Sequence, residues 1–543
     1  MSNEQGQNFL DSKTIIAVIL VGVSWVGWQS YLQTKYPEHY KEKQKTTIEQ
    51  TTEGIEDNSV EKANNSQVIN EEKPSTSVKT DELAQEEIKN YKSFHFADEV
   101  WSFDISPIGM GLENIKLKDY STRDGQDMAI GTTKEGAPFA TNIIGKNTPL
   151  YFDIKKLSSH EYLGKARFGN AQIEKRIEIN SKNHIIDTKL FVSEIKEEDT
   201  FSGLTTYLGE KLVNQDSGIP FLPQFERQEV FVIHEGDKDR MLFAKESVNQ
   251  SFQKVKLAAI STQYFAQALL DKSDVMPEIK ANIDANNMVA QATISHSIIN
   301  RSKDFYINYL AFAGPKSLKL LSSIDENMSE IVDLGWFSGL AKLILKIMKF
   351  FYSIFGNWGV AIILLTILVR FIVLPFNLMS VKSMKKMQAV QPQIQALREK
   401  FKDDPQKLNQ EMMHLFKSNK VNPMGGCLPM LLQFPVFIAL YQMLGQSIEL
   451  YQAPFGFWIH DLSVKDPYYI LPVLMGITMF VQQKVTPSTM DPTQQKIFMF
   501  MPVIFSLFMI TLPSGLTLYI FVSALFAVIQ QVLVMRDSKT QTA

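Results

Sequence analysis

Residues 366–375 read TILVRFIVLP: nine uncharged residues around one arginine, Arg370. The longer run 358–376 is otherwise apolar enough to enter a membrane. A charge at the centre of such a helix costs about 2.5–3.5 kcal/mol on insertion scales. Two readings stand open. Arg370 lies roughly 9 Å along a helix from Phe376, so its side chain can snorkel to water at the membrane surface. Alternatively it lines a wet cavity, where it attracts an acidic group at low local dielectric. Thr366 lies one turn earlier on the same face. Gln433, between Pro429 and Pro435, brings another neutral polar group into an apolar segment, as do Ser506, Thr511, Thr517, Ser523 and Gln530. Left unpaired in hydrocarbon, each is costly, so they should face protein or water. Interhelical hydrogen bonding accounts well for Ser and Thr. It accounts less well for a lone arginine without a carboxylate.

Little else in the chain suggests chemistry. The five later apolar stretches contain no Asp, Glu or His. That removes the titratable groups of a proton relay and the base of a hydrolase. His460 and Asp461 in FGFWIHDLS have no evident nucleophile, so His460 reads as a hydrogen-bonded loop histidine. The other histidines show no metal-ligand spacing, and no GxxxxGK[ST] pattern points to nucleotide hydrolysis. One cysteine, Cys427, excludes intramolecular disulfides. The formal net charge of −3 offers no basic excess for nucleic acid. The expectation is a protein that is not an enzyme and uses no cofactor, metal or nucleotide.

The elements that must position Arg370 follow from the pattern. Residues 14–32, TIIAVILVGVSWVGWQSYL, are long enough to cross roughly 30 Å of hydrocarbon and end in interfacial aromatics. The preceding 1–13 are not basic and no A-x-A site follows, so 14–32 reads as an uncleaved anchor. Residues 33–91 read as a disordered tether, because 41–90 hold no aromatic and only ten apolar residues. From 92 to 330 the period becomes two, as in FHFADEVWSFDI and QIEKRIEINSKNHIIDTKLFV, with turns at Asp124-Gly125, Gly169-Asn170 and Asp216-Ser217-Gly218. That predicts an antiparallel β-sandwich. Residues 334–355 switch to a helical period. Lys342, Lys346 and Lys349 share one face, and Trp336, Phe337, Leu340, Leu343, Ile344 and Ile347 cover the other. This suits a helix lying in the membrane interface, or one packed on the β domain.

Five apolar stretches follow, at about 358–376, 424–445, 468–483, 497–512 and 516–535. With the anchor they make six spans and place both termini on one side. The loop 380–422 carries nine Lys/Arg against four acids, whereas 446–467 carries only Lys465. The positive-inside rule then puts 380–422 and both termini in the cytoplasm and the β domain outside. Lys35, Lys41, Lys43 and Lys45 run against this, but a long translocated domain relaxes the rule. The loop itself reads as an αα-hairpin, its first helix kinked at Pro392 and its second starting after Asp404-Pro405. Met475, Met479, Met499, Met501 and Met509 lie in Phe-rich spans. Flexible thioethers suit a surface that accepts varied apolar partners, and equally gap-filling or lipid contact.

GNWGVAIILLTILVR, QPQIQALREKF, KVNPMGGCLPMLLQFPVFIALY, APFGFWIHDLSVKDPYYILPVLMG, DPTQQKIFMFMPVIF and PSGLTLYIFVSALFAVIQQ resemble, in order, the characteristic segments of the Oxa-type family of membrane protein insertases. The resemblance spans roughly 335–536, and the layout before it is similar to the family's Gram-negative form. It implies an α-helical membrane protein with six transmembrane helices and a large extracytoplasmic antiparallel β-sandwich domain. The parts would be a cytoplasmic N-terminus (1–13), the anchor (14–32), a periplasmic tether (33–91) and the periplasmic sandwich (92–330). An interfacial helix (334–355), a five-helix core (358–536) and a cytoplasmic tail (537–543) would follow. It implies insertion and folding of inner-membrane proteins, alone or with the Sec translocon, through a hydrophilic groove open to cytoplasm and lipid. Arg370 matches the groove arginine, and Thr366, Gln433 and Tyr519 fall at groove-lining positions. Hairpin 380–422 would receive the client through Met384, Met387, Lys385, Lys386, Met412 and Met413, and the cytoplasmic loops would approach the ribosome. Partners would be nascent membrane proteins, Sec components, the ribosome and membrane lipid. Two positions depart from the pattern. Ile520 stands where a second aromatic is expected, and the tail RDSKTQTA has only Arg536 and Lys539 as bases. The alternatives of another class are a transporter for a small anionic solute, which usually carries an internal repeat, and a scaffold for translocon partners.

Overall fold

The computed structural model describes residues 92–133, 136–146, 148–196, 201–212, 228–243, 247–298, 304–402, 404–419, 421, 428–486 and 492–540. The N-terminal segment 1–13, the anchor 14–32, the tether 33–91, the turn Asp216-Ser217-Gly218, Lys420, Cys427 and the last tail residues 541–543 lie outside the described residues.

Strict alternation builds the β domain. In Ala171–Asn180 the residues Ala171, Ile173, Ile177 and Ile179 are buried at period two, as a half-buried strand requires. Three antiparallel sheets result. A four-stranded sheet runs β1 (Phe94–Ala97), β2 (Trp101–Ile105), β3 (Leu112–Ser121), β4 (Asp127–Ile130). A five-stranded sheet has the order β13 (Val248–Phe252), β16 (Glu278–Asp284), β17 (Val289–Ser297), β10 (Gly203–Lys211), β5 (Thr141–Ile143). The largest, nine-stranded, starts β12 (Asp237–Leu242), β11 (Glu229–His234), β14 (Val255–Ser261), β15 (Phe265–Asp271) and β18 (Phe305–Pro315). It continues β9 (Ile185–Ser193), β8 (Ala171–Asn180), β7 (Glu161–Phe168), β6 (Asp153–Lys156). One apolar core joins these sheets, from Trp101 and Phe103 to Leu208, Ile260 and Ile294. The expected antiparallel sandwich is present, and the strand order, which the alternation could not supply, is long-range.

Two buried titratable groups are products of this folding. Lys175 sits at an inward position of β8, between Ile173 and Ile177. Burial pushes its ammonium down to about 7. Against that, it donates to the carbonyls of Gly109 (3.1 Å), Met110 (3.0 Å) and Phe139 (2.7 Å) and to the Thr141 hydroxyl (3.0 Å). His184, at φ 55° between β8 and β9, packs on Trp101 with ring centroids 5.6 Å apart. Among the described residues neither ring nitrogen has a hydrogen-bond partner, and burial holds its pKa down at about 4.

Helices follow. α1 (Leu318–Ile324) and α2 (Glu326–Ser329) lead into α3 (Ser338–Phe355). Ala341, Ile344, Leu345 and Met348 of α3 are buried, Lys342 and Lys346 are exposed, and Leu343, Phe350, Ile354 and Phe355 are exposed apolar groups. The single apolar face expected from periodicity is therefore two: one packs on protein, one is exposed. α4 is continuous from Trp358 to Lys400. The sequence predicted a span at 358–376 and a separate hairpin helix kinked at Pro392. Span and hairpin helix are instead one continuous helix, which includes Pro375 and Pro392. Its first half, α6 (Leu428–Gln446), α7 (Ile470–Val485), α8 (Pro492–Met509) and α9 (Ser514–Thr540) are apolar. Among the described residues two helices, within Trp358–Lys400 and Ser514–Val534, are long and apolar enough to cross a membrane. Three shorter apolar stretches, Leu431–Gln446, Ile470–Val485 and Met499–Met509, fall below that length.

Two compact units emerge. One includes 377–428, where Met387, Val390, Ile394 and Val421 form a small core joined by Met412, Leu415 and Phe416 of α5 (Pro405–Ser418). The side chain of Asp404 accepts from the Lys407 N–H at 3.0 Å, the cap expected before Pro405. The other unit holds the β domain and the remaining helices. In it a second continuous core runs from Phe231, Leu257, Ala268 and Phe312 of the nine-stranded sheet to Met348, Leu440, Met475 and Leu516 of the helices.

His184 makes the β domain acid-sensitive in a defined window. Its folded pKa lies below the ordinary 6.5, so the unfolded chain binds a proton that the folded chain refuses. Stability should therefore fall as pH drops from 6.5 toward 4, by on the order of 3 kcal/mol in total. Thermal unfolding of the full chain, followed by far-UV circular dichroism at pH 7 and pH 5, should show this slope. His184→Asn, which tolerates the left-handed backbone and does not titrate, should flatten it whatever its effect on absolute stability.

Candidate functional site

The geometry around Arg370 is built by three helices. Arg370, half-buried on α4, donates through Nε to the Ser523 hydroxyl of α9 at 2.8 Å, and Nη2 bonds the same oxygen. Tyr519, one turn before Ser523, is almost fully buried and interacts with it. The Tyr519 hydroxyl in turn accepts from Gln433 Nε2 of α6. A polar string thus runs Arg370, Ser523, Tyr519, Gln433 across α4, α9 and α6. Among the described residues no carboxylate lies within ion-pair distance of Arg370. A half-buried cation held by neutral groups is a strong point of attraction for an anion.

Three of the four residues expected together are together. Thr366 differs: it is fully buried and its hydroxyl donates to the Ile362 carbonyl of its own helix at 2.6 Å. Back-bonding of this kind satisfies a Thr without any cavity. Ser523 was legible only as one of several polar residues in the spans. Its helical spacing from Tyr519 was readable, but its pairing with Arg370, 153 residues away, was not.

The hairpin residues belong to the unit that includes 377–428. Met387 is buried in its core and Met412 packs against it, so these two serve the hairpin itself. Met384 and Lys385 are half-buried, and Met413 and Lys386 are exposed. Of the five core methionines, Met475 and Met509 are interior packing groups, while Met499 and Met501 are exposed. Met479 and Met501 line, with Gln482 and Phe505, an open cleft of about 330 Å³ between α7 and α8.

The loop 446–467 supplies caps to helix ends. The first N–H groups of a helix have no intrahelical partner. Those of α9 find carbonyls in the loop: Ser514 N–H to Val464 at 2.6 Å and Gly515 N–H to Leu462 at 2.9 Å. At α7, Asp466 accepts from Tyr468 N–H (3.0 Å), Leu471 N–H (2.7 Å) and Trp458 Nε1 (3.0 Å). At α4, Asn357 caps the Val360 N–H at 3.0 Å and donates to the Phe455 carbonyl at 2.9 Å. Gly359 lets the Phe455 ring lie against α4; a Cβ there would stand 2.0 Å from the ring. The loop also grips the β domain. Tyr451 Oη donates to the Ser121 carbonyl at 2.7 Å, and Gln263, in the turn between β14 and β15, donates to the Gly445 carbonyl at the end of α6 at 2.7 Å. Lys349 of α3 pairs with Glu449 at 2.7 Å. His460 is exposed and makes no hydrogen bond among the described residues, contrary to expectation. Asp461 works on its own loop instead, accepting from Gln452 N–H at 3.1 Å and Ser463 N–H at 2.8 Å. Among the described residues no cluster of His, Cys, Asp and Glu could hold a metal.

The model of the YidC periplasmic domain matches residues 173–347, and that of the 60Kd inner membrane protein matches 350–541. The membrane protein insertase YidC of Geotalea daltonii (strain DSM 22248 / JCM 15807 / FRC-32) is 36% identical over 451 residues, 79% of this chain and 83% of that protein. The membrane protein insertase YidC of Geobacter sulfurreducens (strain ATCC 51573 / DSM 12127 / PCA) is 43% identical over 287 residues, 53% of this chain and 54% of that protein. A crystal structure of an active YidC insertase with the first transmembrane domain resolved is similar at 17% identity and a TM-score of 0.37, covering 82% of this chain and 92% of that one.

Asp466 is the fastener whose loss is easiest to read. Asp466→Ala removes a buried carboxylate and leaves an indole N–H and two backbone N–H groups without their acceptor. The expected cost is about 2–4 kcal/mol. Melting of the detergent-solubilised protein, followed by tryptophan fluorescence, should shift down accordingly, and Asp466→Asn, which keeps one acceptor oxygen, should shift less.

Proposed function

Because the chain belongs to the YidC family of membrane protein insertases, we propose that it carries hydrophilic tails of nascent inner-membrane proteins through a cytoplasm-open polar groove. Their apolar segments are released into lipid, with the chain acting alone or beside the Sec translocon. Homologues bear the insertase name, and the transmembrane and periplasmic parts match the family models. No covalent chemistry on the client is required. The groove, its residues and the partners are this proposal's own.

The observation that carries it is the half-buried Arg370, answered by a hydroxyl rather than a carboxylate. An acidic group on a client tail supplies the missing counter-charge at low local dielectric. Gln433 and Tyr519 offer further polar surface beside it. The client's apolar segment meanwhile partitions into lipid along exposed Met499, Met501, Phe500 and Ile504, which provides the driving force. A potential negative inside adds about 2.3 kcal/mol per acidic charge moved outward per 100 mV. The helix ends capped by and tied to loop 446–467 support closure of the groove at that end.

The arrangement proposed is six spans, the anchor 14–32 plus five core helices, with both termini in the cytoplasm. The β domain 92–330 stands in the periplasm and 334–355 lies at the outer interface, its exposed Trp336, Phe350 and Phe355 toward lipid. The basic loop 380–422 then receives the client on the cytoplasmic side, near the ribosome. Spans as short as the 16 residues of α7 are completed by their flanks, where Tyr468 and Tyr469 are exposed as interfacial aromatics.

A charge series tests the groove. Insertion of a single-span client with an acidic tail should be largely retained in Arg370→Lys, and progressively lost in Arg370→Ala and Arg370→Glu. Protease protection of the translocated tail in a depletion strain reads the result. Equal protection by all four proteins would overturn the electrostatic role. Lost uptake of a small anion with intact client insertion would favour a transporter.

A further inference from the structure

The guanidinium of Arg370 is not simply present beside the polar string; it is held by one edge. Nε and Nη2 both converge on the single oxygen of Ser523. Guanidinium has five N–H donors in a rigid fork, with two edges able to take a carboxylate in bidentate fashion. Ser523 occupies the Nε/Nη2 edge. The Nη1 side makes no hydrogen bond among the described residues. Ser523 is itself almost fully buried, and a small hydroxyl there is enclosed by Tyr519 and Arg370 rather than by solvent. Resting on the groove reading above, we infer that Ser523 is a positioning residue for insertion. It fixes the guanidinium so that its end-on Nη1/Nη2 edge is the one a client carboxylate meets, and it keeps the charge from snorkelling toward the surface.

The chemistry of the partner explains why the holder is neutral. A carboxylate at position 523 would pair bidentately with Arg370 and cancel the charge a client needs. An alanine would release a long flexible side chain whose ordering must then be supplied by each client. A serine does neither: it accepts two hydrogen bonds and leaves the net charge in place. Tyr519 and Gln433 extend the string, so the hydroxyl that receives Arg370 is itself held in one orientation.

Ser523→Ala, Ser523→Thr and Ser523→Asp are compared in the full chain with two single-span clients differing only in tail charge, one bearing two acids and one neutral. Ser523→Ala should lower protection of the acidic tail several-fold and leave the neutral tail within twofold. Ser523→Thr, which keeps the hydroxyl, should restore the acidic client. Ser523→Asp should abolish the preference for acidic tails. In Arg370→Ala the further change Ser523→Ala should have no additional effect, because the serine acts through the arginine. Equal loss of both clients in Ser523→Ala, or a full further loss in the double variant, would overturn the positioning role and leave a packing role. The groove reading is judged separately. If Arg370→Ala loses the acidic preference while Ser523→Ala keeps it, the groove stands and this inference falls; if Arg370→Ala keeps it too, the groove reading itself falls.

Discussion

A guanidinium cannot discard its proton, so an arginine in the middle of an apolar helix must be answered by other groups. In this protein the answer is one serine oxygen, supplied by α9 from 153 residues away. That requirement dictates the neighbouring arrangement. α9 must approach α4 with a small polar residue at the contact, and Tyr519, one turn earlier, must find a partner for its own hydroxyl, which α6 provides as Gln433. The partners are neutral throughout, so the charge is solvated by the protein but not cancelled. Stability alone would favour a carboxylate partner or a leucine in place of the arginine.

The opposite ends of the helices obey a different constraint. Helix N-termini expose N–H groups that must be paired wherever water is excluded. The loop 446–467 meets that need at α7 and α9, through Asp466 and the carbonyls of Leu462 and Val464, and it holds the amide of Asn357, which caps α4. Its contact with Ser121, the hydrogen bond from Gln263 to the Gly445 carbonyl of α6, and the core continuous from the nine-stranded sheet into the helices tie the β domain to the same framework. Backbone capping and core packing concentrate at one end, and the unpaired charge lies along the helices away from it. A polar string can persist in a helical core when the helices carrying it are fixed elsewhere.

Several readings were right in kind and wrong in detail for one reason: periodicity reports which residues share a face, not what that face meets. Helix α3 has the lysine face expected of it, but its apolar residues divide between protein and exposed surface. The methionines divide similarly, Met475 and Met509 going to the core and Met499 and Met501 to the surface. Thr366 shares a face with Arg370 as predicted, yet it spends its hydroxyl on Ile362. A separate hairpin helix was expected after the span 358–376, and one helix, Trp358–Lys400, covers both.

By itself the sequence determined the alternation that makes the sandwich, the apolar stretches, the sign asymmetry of the loops and the oddity of Arg370, because each is a local property of residue type and spacing. It also carried the family resemblance, because ordered segments are a property of the chain. Tertiary structure alone decided the strand order, the inward place and four partners of Lys175, the caps that 446–467 lends to α7 and α9, and the pairing of Arg370 with Ser523. These depend on which distant segments meet. A hydroxyl at position 523 looks no different from those at 506 or 517 until the helices are packed, and only then does one of them hold a charge.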